Sequence, residues 1–354
     1  MRLDFAFTGG GYAIARLETD LELPANYAFR FRIRGQAPVN HLEFKLVDPS
    51  GENVWWKVRR DVVWPEQWET FRIKKRHLEF AWGPLGGGEI TRIAAIEFAV
   101  TAGTGGRGSV WIDDLELVEL PAADTPPPDP VAGARTSAPG HLPARVQDGD
   151  PSTYWRPALG DDHPVLWLDF LQPREFGGLV VDWMPGKPVP DYVVEISEEE
   201  DVWRTVKTVT GSGGGRDYLY LPDSEARLIR LRTTGPFAAV AAVRALELKP
   251  LEWSATREAF FSAIATELPR GVMPRGFLGE QVYWTVVGVD ADSQEGLLSE
   301  DGALEAGVGG FTVEPFLFVE GELITWNDVV RDQSLQDRYL PLPSVTWFHD
   351  GPGR

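Results

Sequence analysis

The segment Arg145-Val146-Gln147-Asp148-Gly149-Asp150-Pro151-Ser152-Thr153-Tyr154-Trp155 decides how the middle of this chain is interpreted. Asp148 and Asp150 flank a glycine, and Thr153 follows closely, so a tight loop can turn several oxygen atoms inward together. A hard cation such as calcium binds to all-oxygen loops of this kind. Asp-Gly and Asp-Pro are also ordinary turn residues, and a surface turn explains the same letters. We predict Asp148, Asp150 and Thr153 as candidate metal ligands.

Alternating runs after this loop predict a β-sandwich, because a period of two gives each strand one buried face. The predicted strands are Val165–Phe170, Gly178–Trp183, Tyr192–Ser197, Trp203–Val206 and Ala226–Arg232. With the loop, their order over residues 136–250 resembles a discoidin domain, the coagulation factor 5/8 type C fold. That fold is galactose-binding-like, and many of its bacterial members are carbohydrate-binding modules.

The discoidin resemblance implies further site residues. In the family a Glu on the last strand commonly completes a calcium site. Here Ala245 holds that position, while Glu247 lies on the same face of the strand, so Glu247 joins the metal candidates and structural calcium is the expected cofactor. The ligand rim of the family lies on loops, which makes Arg156, His163 and Trp183 candidate ligand-binding residues.

Residues 1–120 also consist of alternating runs, which predict a β-sandwich of jelly-roll type. The residues Asn40–Asp48, Asn53–Trp56, Phe80–Pro84 and Val110–Leu115 resemble the family 11-like carbohydrate-binding jelly roll, related to the complex I intermediate-associated domain. In such jelly rolls the closing Trp-Ile-Asp-Asp helps hold a structural calcium, so Asp113 and Asp114 are further metal candidates. The opening strand expected before Arg2 is missing from the sequence.

Strand alternation in the first sandwich predicts a flat surface for sugars, which present apolar faces to aromatic rings and hydroxyls to charged groups. Trp55, Lys57 and Arg59 share one face of their strand, while Val54, Trp56 and Val58 are predicted core. Glu43 and Lys45 face outward in the same way. The candidate ligand platform is therefore Glu43, Lys45, Trp55, Lys57 and Arg59. An ordinary solvated sheet face fits the same pattern.

Composition shifts give the remaining domain organisation. The proline-rich residues 121–135 predict a semi-rigid linker. Residues 251–354 are predicted to be one helix, capped by Ser254, followed by a partial β-rich domain. The fold class is therefore all-β: tandem sandwiches at 1–120 and 136–250, then a partial domain leading to an absent downstream domain.

Charge and motifs exclude several functions. Asp and Glu outnumber Lys and Arg by 53 to 34, giving a net charge of −19. Nucleic acid is excluded as a partner because phosphate binding needs a basic face. No apolar run is long enough for membrane insertion. The chain has no Cys, none of its five His forms a zinc motif, and no catalytic residues are predicted.

Polysaccharide or oligosaccharide binding without catalysis is the function these features favour, as the targeting part of a larger polysaccharide-active protein. Two alternatives stay open: a protein-interaction or adhesion module, and the N-terminal fragment of a glycoside hydrolase. The N-terminus lacks a signal-peptide core. The chain as written is thus expected in the bacterial cytoplasm, or outside the cell if it is truncated. The sequence predicts no oligomeric state.

Overall fold

The computed structural model describes residues 1–120, 127–199, 202–289, 291, 294–307 and 309–349. These residues form antiparallel sheets and one α-helix, which confirms the all-β prediction. The chain divides into two compact units, residues 1–126 and 127–354. This division falls within the predicted linker, of which residues 121–126 lie outside the described residues.

The described residues of the first unit form nine strands. They are β1 (Arg2–Phe7), β2 (Tyr12–Glu22), β3 (Tyr27–Gln36), β4 (Asn40–Val47), β5 (Val54–Val62), β6 (Glu69–Lys74), β7 (Glu79–Trp82), β8 (Arg92–Thr101) and β9 (Gly106–Glu119). One sheet has the order β1-β9-β3-β6 and the other β2-β8-β4-β5-β7. The first strand, β1, pairs along β9 at the sheet edge.

Aromatic rings fill the space between these two sheets. Phe31 of β3 and Phe44 of β4 are fully buried, and both contact Phe98 of β8 edge-on, with ring centroids 4.9 and 5.2 Å apart. The alternation in the sequence places these side chains inward, since neighbouring residues on a strand face opposite ways. The sandwich is therefore as predicted, while its relation to the family 11-like jelly roll stays a prediction.

The second unit begins with six strands: β10 (Val131–Ala134), β11 (Val165–Trp183), β12 (Asp191–Ser197), β13 (Arg204–Val209), β14 (Arg216–Thr234) and β15 (Val243–Lys249). They form one sheet of order β10-β11-β14-β12-β13, with β15 also paired to β11. The strand β10 corrects the predicted linker, whose last residues pair with β11 because their backbone groups complete its edge.

The long strands β11 and β14 bend, and the bend gives the sandwich its two sides. Their pairing shifts register between Asp169 and Arg174 and again between Phe176 and Gly178. Such irregularities bend a strand and let it continue in a second layer. Trp155, Phe170 and Trp183 are buried in the core between the layers.

A segment after β15 covers one outer face of this sandwich. The helix α1 (Arg257–Glu267) begins at Thr256, whose side chain accepts a hydrogen bond from the Ala259 N–H. The predicted cap Ser254 is wrong, because its hydroxyl instead donates to the Gly177 carbonyl oxygen at 2.6 Å. Trp253 and Phe260 pack on Val180 of β11. The packing therefore continues past the boundary predicted at residue 250.

The C-terminal part consists of short strands: β16 (Trp284–Val287), β17 (Gly296–Ser299), β18 (Leu304–Glu305), β19 (Thr312–Val313), β20 (Leu317–Val319), β21 (Glu322–Ile324), β22 (Val330–Leu335) and β23 (Pro343–Phe348). They form one four-stranded sheet and two hairpins. Several large apolar side chains here, including Phe311 and Phe318, are exposed. Among the described residues no helix has the length and apolar character to cross a membrane.

Candidate ligand-binding sites

The aspartate loop is held together by its own hydrogen bonds. The Thr153 hydroxyl donates to the Asp148 carboxylate at 2.8 and 2.9 Å, and the Asp150 N–H donates to it at 3.0 Å. The Asp150 N–H, then Thr153 and Arg145, hold the pKa of Asp148 below its usual value. Hydrogen bonds from Ser152 lower the pKa of Asp150. Both carboxylates are therefore ionised at neutral pH.

A full calcium ligand set is not assembled around these residues. Glu247 accepts a hydrogen bond from the Lys249 ammonium at 2.7 Å, and Lys249 also donates to Glu267 of α1 at 2.9 Å. In the first unit Asp113 is exposed, and Asp114 forms an ion pair with Arg32 at 3.3 Å. Within the described ranges no three His, Cys, Asp or Glu side chains are grouped to hold a metal. The carboxylates found here do not by themselves fit calcium, and its binding stays a prediction.

An open cavity lies beside the aspartate loop. It has a volume of about 310 Å³. Its polar lining is Tyr154, Arg156 and Lys187, and both basic side chains are exposed to solvent. Leu159 and Val240 add apolar walls. The cavity therefore offers one aromatic ring, two cationic donors and apolar surface, which is the mixed lining that small polar ligands need.

Two of the three predicted rim residues do not line this cavity. Trp183 is 1% exposed and belongs to the core, where its indole N–H donates to Asp217 at 2.8 Å. The prediction of Trp183 as a ligand residue is therefore wrong. The Trp183 side chain lies on the inner face of its strand, and the Asp217 carboxylate accepts the hydrogen bond of its buried indole N–H. His163 is exposed but is not among the cavity-lining residues. The structure places only Arg156 there.

In the first unit the predicted platform is divided between two faces of one sheet. The register pairs Lys45 with Trp56, and Leu46 with Trp55. Because paired residues share a face, Trp55 points into the core. It is 3% exposed and its indole N–H donates to the Gly88 carbonyl oxygen at 2.8 Å. The prediction of Trp55 as an outward ligand residue is therefore wrong.

The other predicted residues separate in the same way. Lys57 and Arg59 have the inward parity of Trp55 but lie near the sheet edge, where the Arg59 guanidinium covers the Phe71 ring at 4.2 Å. Glu43 and Lys45 face outward and form an ion pair at 2.8 Å. The side chains that belong with Glu43 and Lys45 are thus not the predicted ones.

Two tryptophans complete the outward surface. Trp56 contacts Trp82 edge-on with ring centroids 5.4 Å apart, and the Lys45 ammonium lies 5.4 Å from the Trp82 ring. Trp82 is 46% exposed. Alternation within one strand does not reveal which of two adjacent tryptophans, Trp55 or Trp56, faces solvent. The pairing of Trp56 with the outward Lys45 decides it, and this register is not visible in the sequence of one strand.

The other sheet of this unit carries a second aromatic row. The Arg34 guanidinium lies between the rings of Trp68 and Trp111, 5.1 and 4.8 Å from their centroids. The buried Arg34 Nε has no hydrogen-bond partner. The sequence analysis missed this row because Arg34, Trp68 and Trp111 come from three separate parts of the chain, which only the pairing of β3 with β6 and β9 brings together.

The middle of the chain matches a known family. Residues 132–246 match the family model described as the F5/8 type C domain, and this segment is therefore a discoidin domain, as predicted. No curated protein sequence matches the chain.

Solved structures with similarity to the chain include three from bacteria. One is chitosan-binding module 1 of a chitosanase/glucanase from Paenibacillus sp. IK-5, with 22% identity, a TM-score of 0.31, and coverage of 34% of this chain and 93% of that one. Another is CpGH89CBM32-5 from Clostridium perfringens, in complex with GalNAc-β-1,3-galactose, with 16% identity, a TM-score of 0.32, and coverage of 34% of this chain and 94% of that one. The third is a Ruminococcus gnavus GH29 fucosidase in complex with fucose, with 15% identity, a TM-score of 0.32, and coverage of 34% of this chain and 25% of that one.

Proposed function

We propose that this chain binds carbohydrate without catalysis, and that the discoidin domain does so through the cavity beside the aspartate loop. The observation that carries the proposal is the lining of that cavity. The Tyr154 ring, the exposed cations Arg156 and Lys187, and the apolar side chain of Leu159 meet within one open space of about 310 Å³. Sugars present the matching groups, an apolar ring face and a polar rim of hydroxyls.

The family match supports the same proposal, because the cavity lies within the matched residues 132–246. The sheet face with Trp56, Trp82 and Lys45 supports a second binding surface in the first unit, since an exposed aromatic ring such as Trp82 beside charged groups suits stacking on sugars. Structural calcium at Asp148, Asp150 and Thr153 stays a separate prediction and carries no part of this proposal, since the carboxylates there do not by themselves form a full ligand set. Membership of a larger polysaccharide-active protein also stays a proposal.

A glycan array followed by titration calorimetry on the full chain tests this function. We expect saturable binding to at least one neutral or charged oligosaccharide, and a loss of at least about tenfold in affinity for Arg156→Ala, since hydrogen bonds to charged groups contribute strongly. Lys207→Ala is the matched control, because Lys207 is an exposed cation of β13 outside the cavity lining.

Flat titrations against every glycan would overturn carbohydrate binding and favour a protein-interaction role. Equal effects of Arg156→Ala and Lys207→Ala on affinity would show that another surface binds the glycan. Titrations with calcium and with a chelator, on wild type and Asp148→Asn, separate a loop-stabilising cation from the binding itself.

A further inference from the structure

A second surface of the discoidin domain shares no lining residue with the loop cavity and has an aromatic floor. Trp167 of β11 pairs with Gly133 of β10 across the sheet. A Cβ at Gly133 would overlap three atoms of the Trp167 indole at once. The indole therefore lies with its face over the bare glycine and is flattened onto the outside of the sheet, where it remains partly accessible.

Beside this indole lies a second one, fixed by a cation. On the other side Trp167 pairs with Arg230 of β14. The Arg230 guanidinium lies 3.9 Å from the Trp203 ring centroid and donates to Glu195 at 2.8 Å. Glu195 is buried and also forms an ion pair with Arg232 at 3.4 Å. Because Glu195 fixes Arg230, the row Trp167, Arg230 and Trp203 is preorganised.

These residues border a cavity of about 410 Å³, within the size range of small-ligand sites. Its lining includes Arg135, Trp167, Asp169, Trp203, Leu228 and Arg230; we call this surface the open face. Apolar rings on a cavity floor with charged groups at its edge suit a flat ligand that has both an apolar face and polar substituents, as a pyranose ring does.

The charges of the open face favour an anionic substituent. Asp169 is matched by Arg227 at 2.8 Å, and Glu195 by Arg230 and Arg232. Among the residues that the structure describes, the contacts of Arg135 are long: a hydrogen bond to the His163 carbonyl oxygen at 3.4 Å and the Asp161 carboxylate at 3.9 Å. Its side chain is 56% exposed. Arg135 can therefore turn to a carboxylate, which a guanidinium binds through two parallel hydrogen bonds.

We propose that the open face binds an acidic glycan, with a sugar ring on Trp167 or Trp203 and the sugar carboxylate at Arg135. This inference rests on the proposed carbohydrate binding and adds a second site with its own ligand class. The net charge of −19 does not oppose it at physiological salt, since charges more than about 8 Å away are largely screened while these arginines lie within the site.

Titration calorimetry on the full chain with tetragalacturonate, tetramannuronate and their methyl esters tests the proposal. The esters keep the sugar rings and remove the charge. We expect at least one acid to bind and its ester to bind at least about tenfold more weakly. Arg135→Gln should lower the affinity for the acid by about tenfold and leave the affinity for the ester unchanged. Arg174→Gln, which removes a cation that covers Phe170 outside the cavity, should change neither of these two affinities.

Equal binding of acid and ester, or equal affinities of Arg135→Gln and Arg174→Gln for the acid, would overturn the proposal. If no acidic glycan binds, the proposal fails and a protein becomes the candidate occupant of this face. Trp203→Ala and Arg156→Ala separate the two sites. If glycan affinity is lost only in Arg156→Ala, the proposed loop cavity is supported and the proposed open-face site is contradicted. Flat titrations with every glycan would contradict both sites.

Discussion

The discoidin sandwich has two outer faces built from the same pair of long strands, and they differ in what covers them. Over the second half of β11, Trp253 and Phe260 pack on Val180, with Tyr218 and Tyr220 beside them. Over the first half, Trp167 remains partly accessible and the open face stays uncovered by any described residue. The outer surface of β11 is therefore buried by packing along its second half, while along its first half it stays accessible to a ligand.

This difference follows from the cross-strand neighbours of the two indoles. Trp253 lies on Gly178, and Trp167 lies on Gly133, so both rings need a missing Cβ beneath them. Around Trp253 the further neighbours are the rings of Tyr218 and Phe260 with the Lys249 ammonium at their side, while around Trp167 they are mainly arginines and carboxylates. Charged neighbours keep water at a surface, because fully burying them costs more than exposing an indole. The charged side chains that line the open face thus disfavour its burial.

The largest test of the comparison removes each indole. Trp253→Ala should lower the free energy of unfolding by about 3–5 kcal/mol, because it empties a packed site between α1 and the sheet. Trp167→Ala should lower it by about 1 kcal/mol or less, since its ring is partly solvated. Chemical denaturation of both variants measures this. Similar losses of stability would mean that the open face is also part of the core.

Residue alternation predicted most of the sandwiches but not which aromatic residues face solvent. The strands Tyr192–Ser197 and Ala226–Arg232 were confirmed within β12 and β14. Trp183 was predicted as a ligand residue and is core, because a face is assigned only once neighbouring strands are in register. For the adjacent Trp55 and Trp56, only the pairing with Leu46 and Lys45 decides the face.

Longer-range pairing was also beyond the sequence. β10 lies in a stretch predicted as linker, yet it supplies Gly133 and the edge on which Trp167 rests. Nothing local to Val131–Ala134 indicates a strand, since its backbone hydrogen bonds are satisfied only by β11. The open face was therefore not predictable from motifs, although the discoidin fold that builds it was recognised from the Arg145–Trp155 segment and the strands after it.

A second test adds a methyl group under each indole. A Cβ at Gly178 would overlap the Trp253 ring and approach the Leu219 carbonyl oxygen to 2.7 Å. Gly178→Ala should therefore destabilise the fold by about 2–3 kcal/mol through overpacking. At Gly133 the clash is with the Trp167 ring, which can turn outward into solvent. Gly133→Ala should cost less than about 1 kcal/mol and still weaken binding of an acidic glycan.

Thermal unfolding and glycan titration of this glycine pair check both expectations together. Gly213→Ala is the control, because a Cβ there meets nothing within 4 Å. Equal destabilisation by Gly133→Ala and Gly178→Ala would contradict the difference between the faces. Unchanged glycan affinity in Gly133→Ala would remove the flattened Trp167 indole from the proposed site.

The smallest expected effect concerns the ion pair beneath the covered face. Burial alone would raise the pKa of Asp182, but hydrogen bonds from Arg216 and Arg244 outweigh it and hold that pKa below its usual value. Asp182 therefore stabilises the fold above about pH 4, near its unfolded pKa, and this contribution is lost as pH falls through the folded pKa.

Asp182→Asn should lower the free energy of unfolding by about 1–2 kcal/mol at pH 7, because Arg216 and Arg244 keep partial access to solvent. Denaturation from pH 7 to 3 should show the difference from wild type shrinking with the pH. Since Arg216 also bonds Glu267 at 3.0 Å, amide exchange in α1 should rise in this variant. Glu195→Gln, on the open face, should leave α1 exchange unchanged while it loosens Arg230 and weakens glycan binding. If α1 exchange rises equally in both variants, the two faces are coupled through the sheet and cannot have separate roles.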